Sequence, residues 1–223
     1  MEDFEKEILN AAILSGPDHI NGLDNGCKRL QLLADDEKLV AVLNCEPWKR
    51  GGAETFIASG VLLFRKEGSR EFRRKVILKA YCGFGYSPEG KVKSWEARSK
   101  ELSKNGIPVS RVYGVCKGVL YAEFIEWSLP KFISINPTLY AKWAASNLTM
   151  IAEALDRLRV HPICLLPDLR TDGSLIYIVD FGEDLGEVPG TEAESDYCRL
   201  LVRKELFRYG FDDIAMLYES SEI

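Results

Sequence analysis

The chain lacks several features that would restrict its function at once. It has six cysteines and two histidines in 223 residues, and no Cys-x-x-Cys pair occurs. We therefore expect neither a zinc site nor a disulfide scaffold. No apolar run approaches the roughly 20 residues that cross a bilayer, and the acidic N-terminus does not have the pattern of a secretion signal. These absences predict a cytoplasmic protein that makes no membrane contact.

Basic residues are outnumbered as well. The chain has 29 Lys and Arg against 34 Asp and Glu, a formal net charge of -5. Proteins dedicated to nucleic acids usually carry a positive surface, so this balance argues against direct nucleic-acid binding. Hydrophobic residues make up 46% of the sequence, which is an ordinary share for a globular protein and is enough to build a core.

The most informative stretch ends in Asp180-Phe181-Gly182. An apolar, β-branched run from residue 174 leads into it and follows the turn signal Asp172-Gly173. This pattern predicts a buried strand. An aspartate at the end of such a strand can bind a metal ion while the phenylalanine anchors in the core, and this is similar to the way kinases hold magnesium on ATP.

The N-terminal half of the chain predicts a sheet and one helix. Strands are predicted at residues 39–44, 54–65, 71–81 and 119–126. The third of them carries Lys79 in Val-Ile-Leu-Lys-Ala, and a helix over 91–105, ended by Gly106, carries Glu96. Two interpretations stay open for each charge. Lys79 belongs either to a site or to the solvated face of an edge strand, and Glu96 either pairs with Lys79 or faces solvent.

The C-terminal half is predicted to be mainly helical. Residues 127–136 are interpreted as a linker. Asn136-Pro137 then starts a long helix, since asparagine is a good cap and proline is tolerated in the first turn. Two more helices are predicted at about 192–209 and 211–218.

The segment Gly106-Ile107-Pro108-Val109-Ser110-Arg111-Val112 is similar to a stretch that follows the same helix in the aminoglycoside-phosphotransferase branch of the protein kinase-like superfamily. With the ordered lysine, glutamate, long helix and Asp-Phe-Gly, the resemblance covers about residues 38–208. The short C-terminal half resembles the small atypical kinase of the tRNA-modifying KEOPS complex more than it resembles a drug-modifying enzyme. The resemblance implies an α+β, two-lobe kinase-like fold with a reduced C-lobe. Its expected parts are an N-terminal helical extension (1–37), an N-lobe (38–126) and a helical C-lobe (127–223).

The resemblance also implies roles for individual residues. ATP and Mg²⁺ would be the cofactors, with Lys79 on the phosphates and Glu96 orienting Lys79. Glu123 would mark the hinge, whose backbone pairs with adenine. Asp180 and Asp168 would bind the metal ion, because Asp168 stands where the family has a metal-binding asparagine.

The catalytic loop departs from the family pattern. With His161 placed on the family histidine, Ile163 occupies the position of the catalytic aspartate, and isoleucine cannot accept a proton. In this alignment Asp196 matches the buried aspartate that tethers the loop. The alternatives are that His161 is a core or loop histidine and that Asp168 is a turn residue after a proline.

Two functions follow from this departure. The first is a phosphotransferase with a degenerate catalytic loop, in which Asp168 acts as metal ligand or displaced base. The second is an inactive pseudokinase that acts as a binding or regulatory module. A protein partner or protein substrate is expected in both cases, because so short a C-lobe leaves little room for a substrate site. An α+β protein unrelated to kinases is a third possibility.

Overall fold

The computed structural model describes residues 37–47, 55–66, 71–81, 88–116, 118–180 and 196–220. The predicted extension (1–37, apart from Glu37) and the residues Phe181-Gly182 of the Asp-Phe-Gly motif lie outside these ranges. The chain divides into two compact units. One comprises Met1–Arg98 with Arg111–Phe124, and the other comprises Ser99–Ser110 with Ile125–Ile223. The fold class is mixed α+β, as predicted.

The first unit is built on an antiparallel sheet. Its strands are β1 (Glu37–Pro47), β2 (Thr55–Lys66), β3 (Phe72–Tyr81), β4 (Val112–Cys116) and β5 (Val119–Glu123), in the order β1-β2-β3-β5-β4. The four predicted strands are confirmed. The sequence did not predict β4, which is short and contains a glycine that weakens its strand pattern. Because β3 is the central strand, the interpretation of Lys79 as an edge-strand residue is wrong.

The two faces of β3 are covered differently. Opposite residues of antiparallel strands share a face. Ala58 of β2 and Leu78 of β3 are paired and buried, so their side chains lie on the apolar face of the sheet. Lys79 lies on the other face, opposite Ile57 of β2. On that face the ring of Tyr81 packs edge-on against Trp95 of helix α1 (Pro88–Lys104), with ring centroids 6.3 Å apart. Helix α1 therefore covers the end of the sheet face that carries Lys79.

Helix α1 ends as the sequence predicts. Its last helical residue is Lys104, and Gly106 has φ of +81°, a conformation that favours glycine. The amide of Gly106 donates to the carbonyl of Ser103 (3.0 Å), and the amide of Ile107 donates to that of Leu102 (3.1 Å). These bonds satisfy carbonyls that the helix end would otherwise leave unpaired.

The second unit combines helices with a small sheet. Its helices are α2 (Leu129–Ile135), α3 (Pro137–Arg157), α4 (Tyr197–Arg208) and α5 (Asp212–Ser220). The sheet is antiparallel, in the order β6 (Trp127–Ser128), β7 (Leu169–Thr171), β8 (Ile176–Ile178). Helices α3, α4 and α5 pack together around buried side chains such as Leu148, Val202 and Ile214. Within the described ranges, no helix combines the length and the apolar character needed to cross a membrane.

The start of α3 is confirmed, but the linker before it is not. Asn136 Oδ1 accepts a hydrogen bond from the amide of Leu139 (3.1 Å), and Pro137 occupies the first turn. The prediction of a linker over 127–136 was wrong, since this segment forms β6 and α2. Pro130 lies in the first turn of α2, where proline begins a helix rather than breaking it.

Candidate functional site

Two opposite charges are buried in the first unit. Lys79 on β3 retains 5% of its exposure, and Glu96 on α1 retains 7%. The interpretation of Glu96 as a solvent-facing residue is therefore wrong. Lysine and glutamate are almost never buried to this extent unless they are paired, because burying an isolated charge is costly. Both side chains therefore belong to the interior of the first unit.

The predicted hinge is tied to the sheet through its main chain. The amide of Glu123, the last residue of β5, donates to the carbonyl of Arg111 (2.7 Å). The next amide, that of Phe124, donates to the carbonyl of Lys75 (3.4 Å), and the Lys75 ammonium lies 3.9 Å from the centre of the Phe124 ring. The Glu123 side chain is half-buried and affects its surroundings. Burial first, and the Glu123 charge second, raise the pKa of Tyr113.

In the second unit, Asp168 and Asp180 lie at the same end of the β7–β8 ribbon. Leu169 pairs with Ile178, and the amide of Val179 donates to the carbonyl of Asp168 (3.1 Å). Asp168 ends a 3-10 turn, and its amide donates to the carbonyl of Leu165 (2.9 Å). Its position in a turn agrees with the alternative interpretation, but the turn also brings its backbone beside the residue that precedes Asp180.

The other end of the ribbon is fixed by a dense turn. Asp172 Oδ1 accepts hydrogen bonds from the amides of Ser174 (2.8 Å) and Leu175 (3.1 Å), and Tyr177 OH donates to Oδ2 (3.0 Å). Partial burial opposes ionisation of Asp172, but these bonds outweigh it and lower its pKa to about 2. Gly173 has φ of +92°, as such a turn requires.

The segment that carries the family resemblance contacts this ribbon. The amide of Ile178 donates to the carbonyl of Pro108 (3.0 Å), and the amide of Ser110 donates to the carbonyl of Ile178 (3.2 Å). Val109 forms a parallel bridge with Ile178. The strand that leads to Asp180 is therefore held by β7 on one side and by residues 108–110 on the other.

The loop before Asp168 contains no candidate base at the family position. His161 is buried, and its ring lies 4.8 Å from that of Tyr197. In the described part of the chain, its Nδ1 atom has no hydrogen-bond partner. These contacts favour the interpretation of His161 as a core histidine. Ile163, at the position of the family's catalytic aspartate, is 72% exposed.

Glu205 of α4 anchors this loop, and sequence reasoning missed it. Its carboxylate is buried; Oε2 accepts hydrogen bonds from the amides of Leu165 (3.0 Å) and Leu166 (2.8 Å). Asp196 was predicted to be a buried tethering aspartate; it is exposed, so the prediction of its burial was wrong. A signal was present in the sequence, since Glu205 lies on the same helical stripe as the buried residues Cys198 and Val202.

A series of hydrogen bonds connects Glu205 to Asp168 and to the residue before Asp180. The amide of Leu165 donates to Glu205, the amide of Asp168 donates to the Leu165 carbonyl, and the amide of Val179 donates to the Asp168 carbonyl. The backbone at Asp168 and at Val179, the residue before Asp180, is thereby fixed. Among the described residues, no group of three or more His, Cys, Asp or Glu side chains could hold a metal ion. Two carboxylates do suit Mg²⁺ that arrives with a nucleotide, because Mg²⁺ takes its other ligands from phosphates and water.

A comparison with models of known protein families finds none that matches the chain, and a comparison with curated proteins finds no significant match. The kinase-like family therefore stays a hypothesis that rests on the sequence motifs. The roles assigned to Lys79, Glu96, Glu123, Asp168 and Asp180 likewise stay predictions.

Proposed function

We propose that the chain is a kinase-like phosphotransferase with a degenerate catalytic loop, binding ATP and Mg²⁺ in the cytoplasm. The observation that carries this proposal is the burial of Lys79 and Glu96 in one unit. A buried ion pair contributes little to stability, because the desolvation cost offsets the attraction. Phosphate binding, by contrast, requires a cation that is held in a fixed position.

Each residue has a distinct part in this proposal. Glu96 pairs with Lys79 and orients its ammonium group, and Lys79 contacts the phosphates of the nucleotide. Asp180 and Asp168 supply carboxylate oxygens to the metal ion. Bound Mg²⁺ would neutralise phosphate charge. The main chain at Glu123 would meet the base, so its side chain is not required for recognition.

The exposed Ile163 favours a second candidate, an inactive pseudokinase that acts as a binding or regulatory module. Without a carboxylate at this position, the hydroxyl of the acceptor loses its proton acceptor. Such a loss costs about 10²–10⁴-fold in rate, whereas positioning and charge neutralisation supply most of the catalysis of phosphoryl transfer. We therefore expect slow transfer to a protein substrate or a protein partner.

Calorimetric titration with ATP, with and without Mg²⁺, tests the nucleotide site. We expect Lys79→Met to weaken ATP binding at least about tenfold, since a charge-assisted contact is lost. Asp180→Ala should abolish the effect of Mg²⁺ on binding. Lys93→Met, which removes an exposed lysine from α1, is the matched control and should bind as the wild type does. Failure of the wild type to bind ATP would overturn the proposal.

A phosphate-transfer assay then separates the two functions. Slow release of the γ-phosphate that is lost in Asp180→Ala supports the phosphotransferase, and ATP binding without turnover supports the pseudokinase. Turnover that survives Asp180→Ala would exclude the metal site. Efficient phosphorylation of a free small molecule by the isolated chain would contradict the expectation of a protein substrate.

A further inference from the structure

The side chain of Arg170 reaches from β7 to the chain that follows the predicted hinge. Its Nη1 atom donates hydrogen bonds to the carbonyls of Ile125 (3.1 Å) and Glu126 (3.1 Å). The guanidinium is half-buried, and this burial lowers the pKa of Arg170. One cation thus satisfies two consecutive carbonyls that come directly after Glu123 and Phe124.

The main chain of Arg170 holds the same segment a second time. Arg170 pairs with Ser128 of β6, and Thr171 pairs with Trp127. The short strand β6 has no other strand neighbour in its three-stranded sheet. The conformation of residues 125–128 is therefore set from β7, by the Arg170 side chain at one end and by the backbone ladder at the other.

Arg170 also belongs to the ribbon that carries the candidate metal ligands. It follows Asp168 by two residues, and Leu169 between them is extended. The ribbon that begins directly after Asp168 therefore also holds the segment that follows the predicted hinge.

We propose that Arg170 is a positioning residue for recognition of the nucleotide base. By fixing the carbonyls of Ile125 and Glu126, it holds the main chain that directly follows Glu123 and Phe124 in the conformation that meets the base. The amides of Glu123 and Phe124 themselves already donate to the carbonyls of Arg111 and Lys75. This inference rests on the proposed function. Arg170 is expected to contribute to base recognition rather than to phosphate binding, since two main-chain carbonyls of the segment after the hinge accept its hydrogen bonds.

Titrations with two ligands test this division. ATP carries both a base and phosphates, whereas inorganic tripolyphosphate carries phosphates alone, and both are titrated in the presence of Mg²⁺. We expect Arg170→Met to raise the Kd for ATP about tenfold or more, because two hydrogen bonds from a charged donor are lost. The Kd for tripolyphosphate should stay within about twofold. Arg170→Lys, which keeps the charge but not the planar guanidinium, should lie between wild type and Arg170→Met for ATP.

The controls separate positioning from general destabilisation. Arg208→Met removes an exposed arginine at the end of α4 and should bind both ligands as the wild type does. If Arg170→Met raises the Kd for ATP and the Kd for tripolyphosphate equally, or leaves the Kd for ATP unchanged, the inference is overturned. If Arg170→Met does not fold, the same comparison in Arg170→Lys decides.

Amide hydrogen exchange provides a readout that needs no nucleotide. Exchange across residues 124–128 should accelerate in Arg170→Met, because the hydrogen bonds from Arg170 to this segment are lost. It should stay unchanged in Arg208→Met. Wild-type protein that binds neither ligand would overturn the proposed function. Faster exchange in Arg170→Met would then still establish that Arg170 holds residues 125–128, and unchanged exchange would refute it.

Discussion

Replacing Glu205 should destabilise the second unit more than any exposed substitution in the same helix. Glu205→Ala leaves the amides of Leu165 and Leu166 without an acceptor in a buried environment. Each unsatisfied amide costs about 1–3 kcal/mol, and part of this cost is offset because a buried carboxylate is removed as well. We therefore expect a loss of about 3 kcal/mol in the free energy of unfolding.

Two measurements test this expectation: equilibrium unfolding in urea, and amide hydrogen exchange of the folded protein. With a slope of about 2 kcal/mol/M, the loss corresponds to a midpoint lowered by about 1.5 M. Glu205→Gln keeps an oxygen acceptor but loses the charge, so its cost should be about 1 kcal/mol. Exchange at the amides of Leu165 and Leu166 should be faster in both variants, and fastest in Glu205→Ala.

Lys204→Ala is the matched control, because Lys204 is the exposed neighbour of Glu205 in α4. Its effect should stay within about 0.5 kcal/mol. A Glu205→Ala variant that is no less stable than Lys204→Ala would refute the view that this carboxylate anchors the loop. The same result would remove the physical link between Glu205 and Asp168.

Two further predictions concern single residues in turns. Hydrogen bonds lower the pKa of Asp172 from 3.8 to about 2, so its stabilising contribution is complete above pH 3.8 and is lost as the pH falls through about 2. Asp172→Asn should lower the unfolding free energy at neutral pH by less than about 1 kcal/mol, because the turn is exposed and screened. If the difference in unfolding free energy between wild type and variant persists near pH 2 in urea titrations, the charge of Asp172 is not its cause. Arg159 has φ of +54°, so Arg159→Gly should raise the thermal midpoint by the equivalent of about 1 kcal/mol. Arg157→Gly, within α3, should lower it by about as much, and equal effects of the two glycines would exclude backbone strain at Arg159.

Local signals explain which elements the sequence predicts well. The cap at Asn136 and the stop at Gly106 act within a few residues, so they can be recognised without knowledge of the fold. Strand β4 and helix α2 are short, and their local patterns are correspondingly weak. The proline in α2 is compatible with both a linker and a helix start, and only packing distinguishes them.

The burial of Lys79 is a feature that local sequence signals do not predict. Lys75, Ile77 and Lys79 share one face of β3, so alternation alone gives the two lysines the same environment. In the structure Lys75 is exposed and Lys79 is buried. Helix α1 covers the end of this face near Tyr81 and Trp95, and Lys79 lies at that end.

The sequence by itself determined strands β1, β2, β3 and β5, helix α1, the start of α3 and the strand that leads to Asp180, because periodicity, caps and turns depend on neighbouring residues. The tertiary structure alone decided which charged side chains are buried and which main-chain groups they hydrogen-bond. Glu205 lies 40 residues from Leu165 along the chain, and Arg170 lies 45 residues from Ile125. Their partners are set by packing between distant segments, which no local pattern encodes.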